Sequence, residues 1–374
     1  MAIDTSGSNP IIFLLTGGLA NALDILKIAM RFMMASPENM QAALLTAYNA
    51  PIEIRDVPRP EPKADEVLVK IEASGVCFTD VHIWKGEHAS PNPLPLIMGH
   101  EGVGRVVVVG SSVGRLKVGD RVGIGYVHSA CGHCRECQSG GENYCVDFCA
   151  TGYSTPGCFA EYVVLKQDWA NVIPEGIEPH EAAPLMCAGA AAYASFLKTG
   201  VKAGETIAIF GMGGLGQYCV QIAKLAGARV IAVDISPEKL AMAKALGADE
   251  GVIADAEAAQ TIKALGGAHG CVNFAPVGAT WQMMLHACNP RARIVMTGVP
   301  AQELAFYAHE VIAPGLTVVG NSASNRQEMR ELLNLAATGR IKGVIARRPF
   351  TQINEAIADL IAGRVEGRTV LVME

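Results

Sequence analysis

The fold of this chain is decided by a stretch that reads TIAIFGMGGLGQYCVQIAKLAGARVIAVD over residues 206–234. An apolar run, a glycine-rich loop, a helix-forming segment and a second apolar run follow one another, which is the order of a βαβ unit. The loop has the pattern glycine-x-glycine-x-x-glycine from Gly211 to Gly216, and Asp234 follows 18 residues after Gly216. In this setting the glycines let the backbone approach a pyrophosphate at the helix N-terminus, so the stretch predicts a dinucleotide site.

Two side chains of this unit indicate which dinucleotide binds. A carboxylate at Asp234 accepts hydrogen bonds from the two ribose hydroxyls and repels a 2′-phosphate, which favours NAD over NADP. Lys239 is a second candidate for the ribose. The predicted loop contacts are Gly211, Gly213, Gly214, Leu215 and Gly216. The alternative interpretation is a structural βαβ turn that binds no cofactor.

The segments on either side of this unit have another pattern. The βαβ alternation continues to about residue 320, whereas residues 40–95 contain short strand patterns separated by prolines. The tail over 341–374 returns to strand patterns around one helix. We therefore predict a nucleotide-binding domain inserted into a β domain that the C-terminus completes. The predicted ranges are 188–320 for the first domain and 40–187 with 321–374 for the second.

Four of the 11 cysteines lie within fifteen residues, which indicates a metal site rather than disulfides. They are Cys131, Cys134, Cys137 and Cys145. Four thiolates close a tetrahedral shell and leave no open position, so a zinc ion in this lobe, over 127–150, would be structural. We expect His133 to be a bystander. The alternatives are an iron–sulfur cluster and four buried free thiols.

A second set of metal-binding groups starts at Gly75, where the sequence reads GVCFTDVH, and continues at Gly99 with GHE. Cys77 and His100 are a plausible ligand pair, but a catalytic zinc needs a third protein ligand and an open position. Cys187 is the first candidate because it lies at the junction of the two predicted domains, where a cleft is expected. The less favoured candidates are Cys149 and Cys158.

Composition and charge exclude several classes of protein. Half of the 374 residues are apolar and 18% are charged, so the chain can bury a sizeable core and is not a disordered chain. The net charge of −6 and the lack of a basic run argue against nucleic-acid binding. The cysteine usage favours a reducing compartment and no secretory signal is recognisable, so we predict a cytoplasmic protein.

The N-terminal segment over residues 1–39 differs from the rest. Its apolar run over 11–34 is interrupted by Asp24, Lys27 and Arg31, which share one face of a helix. This pattern predicts an amphipathic helix that docks on a membrane surface or on a partner. The alternatives are a helix packed on its own protein or another subunit, and a natural translation start at Met34 or Met40.

Taken together, these motifs resemble the zinc-dependent medium-chain alcohol dehydrogenases, especially the bacterial and yeast-type tetrameric branch. The resemblance runs from Met40 to the C-terminus and rests on the segments quoted above, with PLMCAG over 184–189. It implies an α/β fold in which a GroES-like β catalytic domain is joined to a Rossmann domain, a doubly wound parallel sheet. It also implies a homo-oligomer, a tetramer or a dimer, that acts on a small-molecule alcohol or aldehyde.

The resemblance implies two Zn²⁺ ions per chain. Cys77, His100 and Cys187 would bind the catalytic zinc, and the four-cysteine lobe would bind the structural one. Glu101 would be able to swing onto the catalytic metal, and Asp80 would hold the tautomer of His100.

The implied reaction is reversible hydride transfer from a primary alcohol, aliphatic or aromatic, to NAD. Thr79 would take the alcohol proton and pass it through the nicotinamide ribose to His82. Trp84 and His88 would wall the substrate pocket, with core packing and a solvated loop as their alternatives. Other possible substrates are secondary alcohols, polyols and formaldehyde adducts.

Three positions depart from the family pattern. Phe78 stands where relatives often have a histidine or arginine against the cofactor pyrophosphate, and Ala191 stands where many have a threonine against the nicotinamide. Arg326 is the candidate phosphate contact in a family-like segment, but Ser324 replaces an expected glycine there. All three departures concern the cofactor and leave the metal ligands intact.

Overall fold

The computed structural model describes residues 39–300 and 302–373. The helix predicted over 11–34 lies outside the described residues and stays a prediction. Within the described residues no helix is long and apolar enough to cross a membrane.

The first part of the chain is mainly β-structure. Its elements are β1 (Asn39–Leu45), β2 (Glu53–Pro58), β3 (Glu66–Val76), α1 (Phe78–Lys85), β4 (Leu96–Ile97), β5 (Gly102–Val109), β6 (Arg121–Ile124), β7 (Val127–Ser129), α2 (Arg135–Gln138), β8 (Cys149–Ala150), β9 (Tyr162–Lys166), β10 (Asn171–Val172), α3 (Pro179–Ala182) and α4 (Ala188–Thr199). Short 3-10 turns lie at Glu142–Tyr144, Gln167–Trp169 and Ala183–Met186.

Alternating strands and helices follow. They are β11 (Thr206–Phe210), α5 (Gly216–Leu225), β12 (Arg229–Asp234), α6 (Pro237–Ala245), β13 (Glu250–Ile253), α7 (Ala258–Ala264), β14 (Ala268–Asn273), α8 (Ala279–Ala287), β15 (Cys288–Met296), α9 (Ala308–Ile312), β16 (Thr317–Gly320) and α10 (Arg326–Ala336). The chain ends with β17 (Ile345–Pro349), a 3-10 turn at Phe350–Gln352, α11 (Ile353–Ile361) and β18 (Arg368–Val372).

The β11 to β16 segment forms one parallel sheet in the order β13-β12-β11-β14-β15-β16. Side chains of β11 alternate between two core clusters, with Ile207 and Ile209 in one and Ala208 and Phe210 in the other. Helices α4 and α5 contribute to the first cluster, and α7 and α8 to the second. The sheet is therefore covered on both faces, and the strand order reverses between β11 and β14, where a doubly wound sheet binds its ligand.

The other main sheet has the order β10-β6-β5-β3-β18-β17, with β9 also paired to β3. Strand β18 runs antiparallel to β3, so that Thr369 lies opposite Val76. The C-terminal strand thus joins a sheet built mainly by the first half of the chain. The predicted fold class is confirmed by this architecture, while the domain boundaries proposed from the sequence stay predictions.

One hydrophobic cluster connects the two sheets. It includes Ala73 and Val103 of the antiparallel sheet, Met186 beside α4, and Val230 and Val272 of the parallel sheet. Because these side chains form a continuous core, the two parts of the molecule are packed against each other rather than joined by a free linker.

Helix α1 was not predicted from the sequence, although it carries several candidate site residues. It starts after Cys77, whose backbone N–H donates to Asp80 Oδ2 at 2.8 Å. It ends at Gly86, which has a φ of +77°. A cysteine is an unusual helix N-cap, and the helix is short, so the local sequence gave a weak signal.

Candidate active site and metal centres

The four cysteines of the lobe converge on one point. Their Sγ atoms all lie within 4.8 Å of one another. Backbone N–H groups bind the sulfurs, with Cys134 N donating to Cys131 Sγ at 3.3 Å and Cys137 N to Cys134 Sγ at 3.5 Å. N–H donors from His133 and Cys134 lower the pKa of the Cys131 thiol to about 6, whereas burial raises the pKa of the Cys137 thiol to about 12. Since thiolates are what zinc requires, this donor set fits a closed four-sulfur site.

His133 does not join this cluster. Its Nδ1 lies 2.9 Å from the backbone carbonyl of Cys131, and the ring is exposed. This agrees with the bystander role expected from the sequence.

A second cluster forms where three separate segments meet. Cys77 precedes α1, His100 and Glu101 precede β5, and Cys187 precedes α4. One donor atom of each lies within 4.8 Å of the others, and the Sγ atoms of Cys77 and Cys187 are 3.9 Å apart. Within the part of the chain that the structure describes, the buried Nε2 of His100 has no hydrogen-bond partner. An unpartnered imidazole nitrogen facing two thiols fits a zinc site.

The two other candidate cysteines lie elsewhere. Cys149 accepts a hydrogen bond from Ser154 Oγ at 3.3 Å, and Cys158 is fully buried with its sulfur beside Gly102. Of the three candidates for the third ligand, the structure therefore brings only Cys187 to Cys77 and His100.

Asp80 braces this cluster from behind. Its Oδ1 lies 3.4 Å from His100 Nδ1, while its Oδ2 accepts the backbone N–H of Cys77. Burial by itself lowers the pKa of His100, but the charge of Asp80 opposes it and the net effect is a pKa well above the ordinary value. One buried carboxylate thus orients two prospective metal ligands.

Arg368 is a residue that the sequence analysis missed. It lies at the start of β18, is only 4% exposed, and donates from Nε to Glu101 Oε2 at 3.2 Å, with Nη2 bonded to Oε1. Burial raises the pKa of Glu101 to about 7, and the charge of Arg368 acts against this. An arginine inside an otherwise apolar strand pattern was the only available signal.

Arg368 also reaches the glycine-rich loop. A Cβ at Gly214 would lie 2.7 Å from Arg368 Nη1. A Cβ at Gly75 would lie 1.9 Å from Glu101 Oε2, so glycine is required on the other side of the pair as well. The guanidinium therefore links the buried cluster to the predicted dinucleotide loop.

The glycines of the loop have separate roles. Gly211 has a φ of +94°, and a Cβ at Gly216 would lie 2.1 Å from the Gly211 carbonyl oxygen, so both are required by the backbone. Gly213 faces open space. Leu215 immediately precedes α5 and is partly buried. The loop thus leaves room for a ligand on the side of Gly213.

The carboxylate of Asp234 organises the end of β12. It accepts the backbone N–H of Met212 at 2.7 Å and that of Ser236 at 3.0 Å. Lys239 lies in the first turn of α6, where its backbone N–H donates to Ser236 Oγ at 3.2 Å. Asp234 is held between the loop and α6 and retains free acceptor capacity for a ribose.

Helix α1 presents the candidate proton-transfer residues. Thr79 Oγ1 is 3.6 Å from Cys77 Sγ, at the edge of the buried cluster. His82 lies one turn further along, on the same helix face as Thr79. The His82 ring contacts those of Phe78 and His88, with centroids 5.1 and 5.0 Å apart.

Trp84 has the contacts of a packing residue. Its Nε1–H donates to the carbonyl of Ala50 at 2.7 Å, and its ring packs against the core between β1 and α11. Packing is one of the two roles considered from the sequence, and the pocket role of Trp84 stays a prediction. His88 lies beyond the end of α1, next to His82.

Arg326 is held by the four-cysteine lobe. Its Nε donates to Glu142 Oε1 at 2.9 Å, and its guanidinium lies 4.7 Å from the ring centre of Trp169. It also lines a small cavity of about 30 Å³ that reaches Cys187. Ala191 is buried in α4, where its N–H donates to the Cys187 carbonyl at 2.8 Å.

Comparison with known proteins agrees with this geometry. The family model described as alcohol dehydrogenase GroES-like domain matches residues 63–175, and the one described as zinc-binding dehydrogenase matches residues 214–338. An alcohol dehydrogenase of Geobacillus stearothermophilus is 40% identical over 337 residues, which cover 90% of this chain and 100% of the relative. The chain belongs to the zinc-binding alcohol dehydrogenase family. The resemblance inferred from the sequence is thereby confirmed.

Two further relatives extend the match. An alcohol dehydrogenase of Moraxella sp. (strain TAE123) is 38% identical, over 89% of this chain and 99% of the relative. The crystal structure of the alcohol dehydrogenase from Aeropyrum pernix superposes with a TM-score of 0.83 at 32% identity, over 89% of this chain and 99% of that one. This alcohol dehydrogenase therefore shares both the sequence and the three-dimensional fold of its family along most of its length.

Proposed function

We propose that this alcohol dehydrogenase uses NAD and oxidises primary alcohols, aliphatic or aromatic, with reduction of the aldehyde as the reverse reaction. The observation that carries the proposal is the buried cluster of Cys77, His100 and Cys187, connected through Glu101 and Arg368 to the glycine-rich loop. A metal site joined in this way to a dinucleotide site is what hydride transfer from an alcohol requires.

The metal roles follow from the donor sets. Cys77, His100 and Cys187 would hold the catalytic zinc and leave one position open, whereas the four-cysteine lobe would hold a structural zinc with a complete shell. When bound, the catalytic zinc supplies Lewis-acid polarisation of the alcohol oxygen and so lowers the pKa of its hydroxyl. Asp80 keeps His100 in the tautomer whose Nε2 faces the metal position.

Side chains of helix α1 transfer the proton of the substrate hydroxyl to solvent. Thr79 lies at the edge of the cluster, 3.6 Å from the Cys77 sulfur, and its Oγ1 accepts the proton of the substrate hydroxyl while its own hydroxyl proton moves on toward His82. His82 lies on the same face of α1, is partly exposed, and passes the proton to water. Thr79 and His82 thus act at the inner and outer ends of one helix face.

The cofactor roles rest on the loop and on Asp234. Gly213 leaves open space for the pyrophosphate, and the Arg368 guanidinium at Gly214 supplies a positive charge beside it. Asp234 accepts from the ribose hydroxyls and disfavours a 2′-phosphate. Lys239 and Arg326 are proposed as further contacts, although Arg326 is paired with Glu142 in this structure.

The test is a set of initial-rate measurements on primary, secondary and polyhydric alcohols with NAD and with NADP, together with metal analysis. We expect primary alcohols and NAD to give the highest kcat/KM, and about two zinc ions per chain. A preference for NADP would contradict the role of Asp234. A preference for secondary alcohols or polyols would replace the proposed substrate class.

The assembly is part of the proposal. We infer a homo-oligomer, a tetramer or a dimer, from the branch of the family that the motifs resemble. Light scattering combined with size-exclusion chromatography measures the molar mass, and a monomer at micromolar concentration would contradict this inference.

A further inference from the structure

Glu87 lies directly against His82, at the outer end of the proposed proton path. Glu87 Oε2 is 2.5 Å from His82 Nδ1, while Oε1 is 3.6 Å from Lys85 Nζ. The hydrogen bond with His82 holds the pKa of Glu87 below its usual range, so the carboxylate is charged at neutral pH.

The backbone fixes this contact. Helix α1 ends at Gly86, whose φ of +77° turns the chain back on itself. The N–H groups of Glu87 and His88 both donate to the His82 carbonyl, at 3.0 and 3.2 Å. A side chain at Gly86 would also meet the Tyr48 ring at 3.0 Å. Because the turn carries Glu87 back over His82, little conformational freedom is lost when the two side chains meet.

The His82–Glu87 pair contributes little to the free energy of folding. The His82 and Glu87 side chains are 22% and 49% exposed, and ion pairs of this exposure contribute little to folding. The contact matters instead for how the His82 ring is oriented and for which of its nitrogens carries the proton. A carboxylate at Nδ1 accepts the N–H of a neutral imidazole and so fixes the proton on that nitrogen. The other nitrogen, Nε2, then carries the lone pair that can accept a proton.

We propose that Glu87 is a positioning residue, which holds His82 with its proton on Nδ1 and so keeps Nε2 ready to receive the substrate proton. The inference rests on the proposed function, because it needs His82 to be the outlet of the proton path. His82 gains and loses one proton in each cycle. Nε2 takes one proton from the path, Nδ1–H stays bonded to Glu87, and Nε2 then gives the proton to water or buffer. Lys85, 3.6 Å from Glu87 Oε1, is the other charged group beside the pair.

The chain offers a matched control. His286 Nε2 lies 3.2 Å from Glu310 Oε1, and this second His–Glu pair, between α8 and α9, is far from the metal cluster in sequence. Glu310→Gln therefore removes a comparable contact without touching the proton path. Glu87→Gln removes the negative charge with almost no change of shape, and Glu87→Asp keeps the charge on a shorter side chain.

The experiment measures alcohol oxidation by zinc-loaded enzyme at low buffer concentration and again with added imidazole. We expect Glu87→Gln to lower kcat about 10-fold at low buffer, and added imidazole to restore most of the rate by taking the proton in place of His82. Glu87→Asp should retain more of the rate than Glu87→Gln. Zinc content, NADH affinity and thermal stability should match those of the wild type, and Glu310→Gln should behave as wild type throughout.

A double-mutant cycle separates positioning from a structural effect. If Glu87 acts through His82, then Glu87→Gln has no further effect on kcat in a His82→Gln background, and the two changes are non-additive. Additive losses, or a loss in Glu87→Gln that imidazole does not restore, would overturn the inference.

The same measurements distinguish failure of the inference from failure of the proposed function. An impaired His82→Gln with a fully active Glu87→Gln would contradict only the role of Glu87. A fully active His82→Gln would remove His82 from the proton path and overturn both. A zinc-loaded wild type that oxidises no alcohol in the panel would also overturn both.

Discussion

The four-cysteine lobe takes its sulfurs from the short segment Cys131–Cys145, whereas the sulfurs of the active-site cluster, Cys77 and Cys187, are 110 residues apart. In the lobe the sulfurs are held by backbone N–H groups of their own loop. In the cluster the ligands are held by buried side chains from distant segments, Asp80 behind His100 and Arg368 on Glu101.

This difference in construction separates two tasks. A closed loop with four thiolates needs only local geometry, and it can saturate a metal without reference to the rest of the fold. An open site must leave one position for substrate and must face the cofactor, so its ligands come from three separate segments, the last of which, at Cys187, directly precedes α4. The cost is buried charge at Asp80, Glu101 and Arg368, which is tolerated only because each group has a partner.

The largest expected effect lies in the open cluster. Cys187→Ala removes a proposed ligand of the catalytic zinc, so we expect kcat/KM for alcohol to fall by at least about 1,000-fold. Metal analysis should show one zinc lost and one retained, with an unchanged far-UV circular dichroism spectrum. Cys149→Ala, which removes a cysteine outside both clusters, is the control and should keep both metals. Full activity in Cys187→Ala would refute the assignment of the open site.

The next largest effect is expected at the buried ion pair of Glu101 and Arg368, beside the open cluster. Arg368→Ala leaves Glu101 without its partner in the core, so that the carboxyl is either charged and unpaired or must take up a proton, which should lower the free energy of unfolding by about 3–5 kcal/mol. Denaturant titration of the zinc-loaded protein measures this. The double change Glu101→Gln with Arg368→Met removes both charges and should recover much of the loss. If the double variant is as unstable as Arg368→Ala, the loss comes from packing and not from the unpaired charge.

A change in the four-cysteine lobe should lower stability and largely spare activity, which is the reverse of the result expected for Cys187→Ala. Cys134→Ala breaks its four-sulfur shell, so we expect loss of one zinc and a thermal midpoint lower by on the order of 5–10 °C. Alcohol oxidation at low temperature should largely persist, because the open cluster is intact. Limited proteolysis should cut within 131–145 in the variant and not in the wild type. Complete inactivation together with loss of both zincs would show that the two sites are not independent.

The smallest effect concerns the rim of the open cluster. Phe78 is 37% exposed and cannot donate to a phosphate, so we expect Phe78→His to tighten NADH binding by about 3- to 10-fold. Fluorescence titration with NADH gives the dissociation constant, and Phe78→Leu serves as a control that adds no donor. Unchanged affinity in Phe78→His would indicate that the pyrophosphate lies away from this position.

The sequence predicted the four-cysteine lobe more completely than the open cluster. The four cysteines and the glycine loop are each contained in a short stretch, so their spacing alone predicted where the structure brings them together. For the third ligand of the open cluster three cysteines were considered; the domain junction favoured Cys187, and the family resemblance then assigned it. The reason is that Cys187 meets Cys77 because the 3-10 turn Ala183–Met186 packs against the antiparallel sheet, which no local pattern encodes.

The sequence by itself thus determined the class of fold, the four-cysteine set and the dinucleotide loop, because each depends on residue type and near-neighbour spacing. Tertiary structure decided how these parts are connected. It placed Arg368 between Glu101 and Gly214, turned Glu87 onto His82, and gave Arg326 to Glu142. The Arg368 and Arg326 contacts join charged side chains more than a hundred residues apart, and such pairs form only where folding brings both groups to one place.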